Sequence, residues 1–230
     1  MSRDTRETII IAMGGSLLVP ENIDVDFIKK LKKMIRHFST NGYQIILVIG
    51  GGKTCRYYQA AAREFDNVTN TDLDWIGIKT IRLNCELLLR TFSDLDTHKH
   101  VIEKWEDVHG IDNDVVIVGA WEPGCSSDKD AIEMAKVSGA TRVINFSNTA
   151  HVYSDDPQKN PDAKKFKTLS WDEYRSLIPT DWTPGMSAPF DPVASKLAQE
   201  SRITVAVLGA SIENLENYLA DKEFKGTVIL

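Results

Sequence analysis

Two nearly all-apolar runs, each stopped by glycines, constrain this chain more than any other feature. Thr8-Ile9-Ile10-Ile11-Ala12 leads into Gly14-Gly15-Ser16, and Gln44 to Ile49 leads into Gly50-Gly51-Gly52-Lys53. A strand with one wet face alternates apolar and polar residues, whereas a run that is apolar throughout is buried on both faces, as in a parallel sheet. A third such run, Asp114 to Val118, also ends at a glycine, Gly119. Stretches of helical period lie between them. Asp24 precedes Phe27, Ile28, Leu31, Met34, Ile35 and Phe38, whose spacing gives an amphipathic helix. Its other face carries Lys29, Lys30, Lys32 and Lys33, which read as a solvated surface.

The alternation continues to the end of the chain. Helices are expected after the triple glycine to Phe65, from about Thr71 to Phe92, from Ser126 to about Ser138, and near Trp171 to Ser176. Asp191-Pro192 opens another, with Asp as cap and Pro at the first helical position. Strands are expected at Arg142 to Phe146 and at Ile203 to Leu208, the latter as the last core strand before a helix over Ile212 to Leu219. A short extended piece lies around His151-Val152-Tyr153, and a polar turn runs from Pro157 to Asp162. Strands alternating with helices imply a three-layer α/β/α sandwich around a mainly parallel sheet. The expected organisation is one domain, residues 1–230.

Composition removes several classes. In 230 residues, 42% apolar and 26% charged content is that of a globular chain. A net charge of −6 argues against the broad basic footprint of a nucleic-acid binder. No apolar run approaches the ~18–20 residues of a membrane span. The apolar stretch in the opening MSRDTRETIIIAMGGS is too short for a secretory signal. Cys55, Cys85 and Cys125 are odd in number and far apart, forming neither a disulfide framework nor a metal pair. A reduced, cytoplasmic setting is the expectation.

Glycine at the carboxyl end of a buried strand lets backbone N–H groups close on an anion, and a following helix adds its positive end. Two such loops, with Ser16 and Lys53 attached, point to a phosphate-rich ligand. Neither fits G-x-G-x-x-G nor the G-x-x-x-x-G-K-[ST] pattern, which disfavours a Rossmann dinucleotide site and a P-loop. Arg56, one turn into the next helix, either forks back onto a phosphate or pairs with Glu64 or Asp66 on the surface. Ser126-Ser127-Asp128 is both an ordinary helix start and a ready anion site.

Together these segments resemble archaeal-type UMP kinases of the amino acid kinase family. Gly14-Gly15-Ser16-Leu17-Leu18-Val19-Pro20-Glu21-Asn22 is similar to that group's first loop, and Gly50 to Tyr58 to its GGGK-x-x-R-x-Y segment. Asp74-Trp75-Ile76-Gly77-Ile78 with Arg82 and Asn84 resembles its D-x-x-G-I…R-x-N helix, and Pro123-Gly124-Cys125-Ser126-Ser127-Asp128 its P-G-H-T-T-D loop. Ser147-Asn148, Val152-Tyr153, Asp156-Pro157, Asp191-Pro192 and Gly226 to Ile229 follow in the right order.

The resemblance implies an amino acid kinase-like fold with an acceptor-binding first part and an ATP-binding part from about residue 140. It implies phosphoryl transfer from ATP, with Mg²⁺, to UMP, in a cytoplasmic homohexamer open to UTP feedback inhibition. Gly51, Asp74 and the loop Trp121, Glu122, Pro123, Gly124, Cys125, Ser126 and Ser127 would hold UMP. Gly15, Ser16, Gly52 and Arg56 would cradle the ATP phosphates, and Ser147, Tyr153 and Asp156 would border the adenosine. Arg56 and Asp128 would be the catalytic pair, Asp128 organising a cation. No nucleic acid and no membrane enters this reading.

The chain departs from the pattern in three places. Ala12 and Ser16 stand where many amino acid kinases carry a Lys, with Lys53 as a candidate substitute. Ala120-Trp121 replaces Gly-Thr, and Ala150-His151 replaces an Asp-Gly pair that favours a positive φ. These departures bear on rate and donor affinity. They also keep open a non-catalytic nucleotide- or oxyanion-binding storage assembly of the same fold, or a kinase of the superfamily acting on another small molecule.

Overall fold

A computed structural model describes residues 6–157, 159–180 and 188–230; Gln158, within the polar turn expected at Pro157 to Asp162, lies outside them. The all-apolar runs form strands β1 (Glu7–Met13), β2 (Tyr43–Ile49) and β3 (Val115–Val118), joined by β4 (Arg142–Ser147), β5 (Thr168–Leu169), β6 (Thr204–Gly209) and β7 (Gly226–Ile229). They make one seven-stranded sheet in the order β3-β2-β1-β4-β6-β7-β5. Every strand pairing is parallel except β6 with β7. Register is set by burial on both faces: Ile10 lies between Ile46 and Val143, and Ala12 between Val48 and Asn145.

Alternate residues of each strand feed two separate cores, because successive side chains of a strand point to opposite faces. Ile9, Ile11 and Met13 join Ile45, Leu47 and Phe146 in one core, and Ile10 and Ala12 join Ile46, Val48 and Val143 in the other. The helices are α1 (Gly15–Leu18), α2 (Val25–Ser39), α3 (Gly52–Ala62), α4 (Asn70–Thr91), α5 (Ser127–Ser138), α6 (Trp171–Leu177), α7 (Pro192–Ser201) and α8 (Ile212–Leu219). α2, α4 and α8 cover the first core; α5, α6 and α7 cover the second. The expected three layers are present.

Local chemistry starts the helices where the sequence places them. Asp24 accepts from the Phe27 amide at 2.8 Å and Asp191 from the Ala194 amide at 2.8 Å. Thr69 and Asp72 form a capping box at the start of α4. One expectation fails: β6 is not the last core strand. β7 follows it and pairs antiparallel beside it. Four residues after a helix carry too little period to announce a strand, and the hairpin partner lies across α8.

β1 leads to β2 on one side, and β4 lies on its other side. That reversal leaves a crevice beyond the carboxyl ends of β1 and β4, the place where open α/β sheets bind ligands. The Gly14 amide donates to the Phe146 carbonyl at 2.9 Å, so the loop after β1 starts against β4.

Thr227 of β7 fixes the far wall of this crevice. It is fully buried; its hydroxyl accepts from the Val152 amide at 2.9 Å and donates to the Phe166 carbonyl at 2.6 Å. Thr227→Val keeps the shape but strands a buried N–H, at a cost of about 1–3 kcal/mol. Chemical denaturation should register that loss with an unchanged m value; an unaltered midpoint would remove Thr227 as the anchor.

Candidate functional site

The loops after β1 and β2 meet backbone to backbone. A Cβ on Gly15 would stand 2.1 Å from the Gly52 nitrogen, and one on Gly50 would stand 2.5 Å from the Gly15 nitrogen. Gly52 holds φ at +68°, and its own Cβ would meet the Gly15 carbonyl oxygen at 2.5 Å. Only glycine fits these positions, and the approach aligns the starts of α1 and α3. Asn148, after β4, donates to the Ser16 hydroxyl at 3.1 Å, closing the crevice from the third side. The two loops expected to cradle phosphates are thus brought together with the segment after β4.

Arg56 lies exposed on the first turn and a half of α3 and makes no ion pair among the described residues. The alternative of a surface pair with Glu64 or Asp66 is not what the structure has. Lys53 is engaged elsewhere: its ammonium pairs with Glu21 at 3.1 Å and lies 5.2 Å from the centre of the Tyr57 ring. Tyr57 donates to the same carboxylate at 3.0 Å, and these partners hold Glu21 below the usual carboxylate range. Lys53 is therefore engaged with Glu21 at the rim of the loop.

The loop after β3 is held from α4. Asp74 accepts from the Gly124 amide at 3.0 Å, and Gly124 adopts a φ of +81°. Ser126 caps α5 by accepting from the Lys129 amide at 3.1 Å, and Ser127 is the first residue of that helix. Trp121 meets the Trp105 ring edge-on at 5.3 Å, with the Lys104 ammonium 5.7 Å from its ring centre. Cys125 accepts a contact from Lys129 at 3.4 Å, and burial pushes its thiol up. Glu122 is exposed and Pro123 half-buried beside it.

Asp128 joins three elements. One carboxylate oxygen accepts from the Asn145 amide of β4 at 3.1 Å, the other from the backbone N–H of Asp191 at the start of α7, at 2.9 Å. Burial, then the carboxylates of Asp191 and Asp130, push it up to about 7 despite the hydrogen bond from Asp191. Ala12 lies opposite Asn145 across the β1–β4 pair, and the Asn145 group that meets Asp128 is a neutral amide. Asp130, buried and accepting from the Trp105 indole at 3.0 Å, is pushed up to about 6, again mainly by burial.

Beyond β4 a cavity of about 700 Å³ is lined by Asn148, His151, Tyr153, Asp156, Leu177 and Pro189. Tyr153 and Asp156 stand in its wall, and Ser147 one residue before it, accepting from the Thr149 amide at 3.2 Å. His151 does not take the positive φ expected of a Gly position; among the described non-glycine residues only Arg202 and Asp221 do. Its Nδ1 is buried without a hydrogen-bond partner, and burial pushes the imidazole below its ordinary range. The backbone at His151 is one that a His accepts without strain.

Asn145 and Arg82 are contributors that the sequence reading passed over as site residues. A polar residue inside the buried run Arg142 to Ser147 was the available signal for Asn145.

The protonation of Asp128 is measurable in stability. A carboxylic acid whose folded pKa lies above its unfolded value, about 3.9, favours folding while protonated. That contribution is present below the unfolded value and lost as pH rises through about 7. The thermal midpoint should fall as pH is raised from the unfolded value through about 7, and fall less in Asp128→Asn, with Asp130 contributing the remainder. Equal falls in both proteins would remove Asp128 as the source.

Residues 7–209 match the amino acid kinase family. The chain is 34% identical over 228 residues to a uridylate kinase of Methanococcus aeolicus, covering 96% of this chain and 98% of that protein. It is 33% identical over 203 residues to a uridylate kinase of Pyrococcus abyssi, covering 87% and 89%. The crystal structure of a uridylate kinase from Archaeoglobus fulgidus superposes with a TM-score of 0.84 at 29% identity, over 96% of this chain and 99% of that one.

Proposed function

Because this chain belongs to the amino acid kinase family, alongside the archaeal-type uridylate kinases, we propose that it transfers the γ-phosphoryl group of ATP to UMP, giving UDP and ADP. The observation that carries the reading is the backbone contact of Gly15 with Gly50 and Gly52, beside an Arg56 free of ion pairs among the described residues. It presents amides and helix starts where two phosphate groups would meet.

A phosphate oxygen of UMP attacks the γ-phosphorus, and the bond from that phosphorus to the bridging oxygen of ADP breaks. The attacking oxygen is already anionic, so the protein needs no general base. Positioning and charge neutralisation supply the catalysis. Gly15, Ser16 and Gly52 would hold the ATP phosphates, and Arg56 the oxygens of the transferring group. Gly51, Asp74 and the loop 121–127 would hold UMP, while Ser147, Tyr153 and Asp156 would border the adenosine.

No group of three or more His, Cys, Asp or Glu side chains that would cage a metal exists among the described residues. Both oxygens of Asp128 already accept from N–H groups. This donor set fits Mg²⁺ arriving as the nucleotide's own complex, held by phosphates and water. When bound, the ion would screen the phosphate charge. Asp128, bonded to Asn145 of β4 and to the start of α7, would be the carboxylate that orients water of that ion.

The same reading includes a homohexamer, cytoplasmic location, UTP inhibition and a role in pyrimidine nucleotide supply. The exposed Tyr57, Tyr58, Trp75 and Leu83 on α3 and α4 support an oligomer, which sedimentation would test. ADP release measured with UMP, CMP, carbamate, acetylglutamate and isopentenyl phosphate tests the activity. Turnover with UMP above the others is expected; turnover with none would favour a binding assembly.

Arg56→Ala should cut UMP-dependent turnover on the order of 10²–10³-fold, as for the loss of one preorganised donor. Undiminished turnover in the folded variant would remove Arg56 from the chemistry.

A further inference from the structure

Helix α4 touches both glycine-bearing loops. Near its start Asp74 accepts from the Gly124 amide. Two turns further on, Arg82 donates from Nε and Nη2 to the Ala120 carbonyl, both at 3.2 Å, and from Nη2 to the Trp121 carbonyl at 3.3 Å. The guanidinium is itself held by Glu103 at 2.8 Å. Two residues later the buried Asn84 donates to the carbonyls of Gly50 and Gly51, at 3.0 and 3.1 Å. One rigid helix thus grips the loop after β2 and the loop after β3 from nearly the same point along its length.

We propose that Arg82 is a positioning residue: clamped by Glu103, it fixes the loop 120–124 against α4, so that α4 sets the spacing between the UMP-binding loop and the triple-glycine loop. The inference rests on reading 121–127 as the acceptor loop. Its physical basis is that Ala120 and Trp121 lie just beyond the end of β3, where no ladder holds their carbonyls. A planar guanidinium presents Nε–H and Nη2–H in a fixed fork toward two carbonyls and a carboxylate, a rigid geometry that an ammonium lacks. The chemistry demands such control, because small misplacements of bound reactants cost rate steeply.

Side-chain exposure is consistent with this role. The Arg82 side chain is 23% exposed, enclosed among Glu103, the loop carbonyls and the space beside Gly119. It touches backbone, and phosphate binding falls to Arg56 on the neighbouring helix.

The experiment compares wild type, Arg82→Lys, Arg82→Ala and Glu103→Gln. Hydrogen exchange of the free protein reads the loop directly: amides of 120–126 should exchange faster in Arg82→Ala, with β1, β2 and α5 beyond its first turn unchanged. In kinetics, KM for UMP should rise roughly tenfold while KM for ATP stays within about twofold. Arg82→Lys keeps the charge toward Glu103 but not the fork and should recover only part of the effect; Glu103→Gln should give a smaller shift of the same kind. Unchanged loop exchange, or equal rises in both KM values, would overturn the clamp, and so would full rescue by Lys. Should Arg82→Ala fail to fold, Arg82→Lys and Glu103→Gln still decide it by exchange and KM. If wild type fails to phosphorylate UMP, the acceptor reading fails, and loop exchange alone still decides whether Arg82 holds the loop.

Discussion

The contact on which the site depends is the approach of Gly15 to Gly50 and Gly52. Main chains come this close only where side chains are absent from both, and here a Cβ on any of the three would sit at or below 2.5 Å from backbone atoms. The approach brings two helix starts together at the reversal of strand order, where the partial positive charge of unsatisfied N–H groups accumulates. In the proposed reading, an anion would be held by that geometry without a dedicated basic patch, in a chain of net charge −6.

Asp128 shows the opposite arrangement, a charge placed where it is costly. Its partners are one amide side chain and one backbone N–H, and its nearest charges are other carboxylates. Hydrogen bonds hold its position, while burial and like charges raise its pKa toward neutrality.

Lys53 and His151 show how neighbours decide what a residue does. Lys53 follows the triple glycine, as a phosphate-binding Lys would, and here it pairs with Glu21 beside the Tyr57 ring. His151 stands where a positive φ is expected, yet the segment, anchored by the Val152–Thr227 bond, has no left-handed residue there. Neither outcome is carried by local spacing.

The sequence by itself determined the layered α/β architecture, because strands buried on both faces must be apolar throughout and helices packed on a sheet must be apolar on one side. It also determined where α2, α5 and α7 begin, since Asp24, Ser126 and Asp191 each accept from an amide three residues on. Only the tertiary structure decided the rest. β5 and β7, two and four residues long, exist as strands because neighbours supply their hydrogen bonds. Arg82 reaches carbonyls nearly forty residues downstream, and Asn145 meets Asp128 across two elements. Such pairs leave no periodic trace, because their partners are chosen by sheet order and helix packing, long-range consequences of burial that no window of neighbouring residues contains.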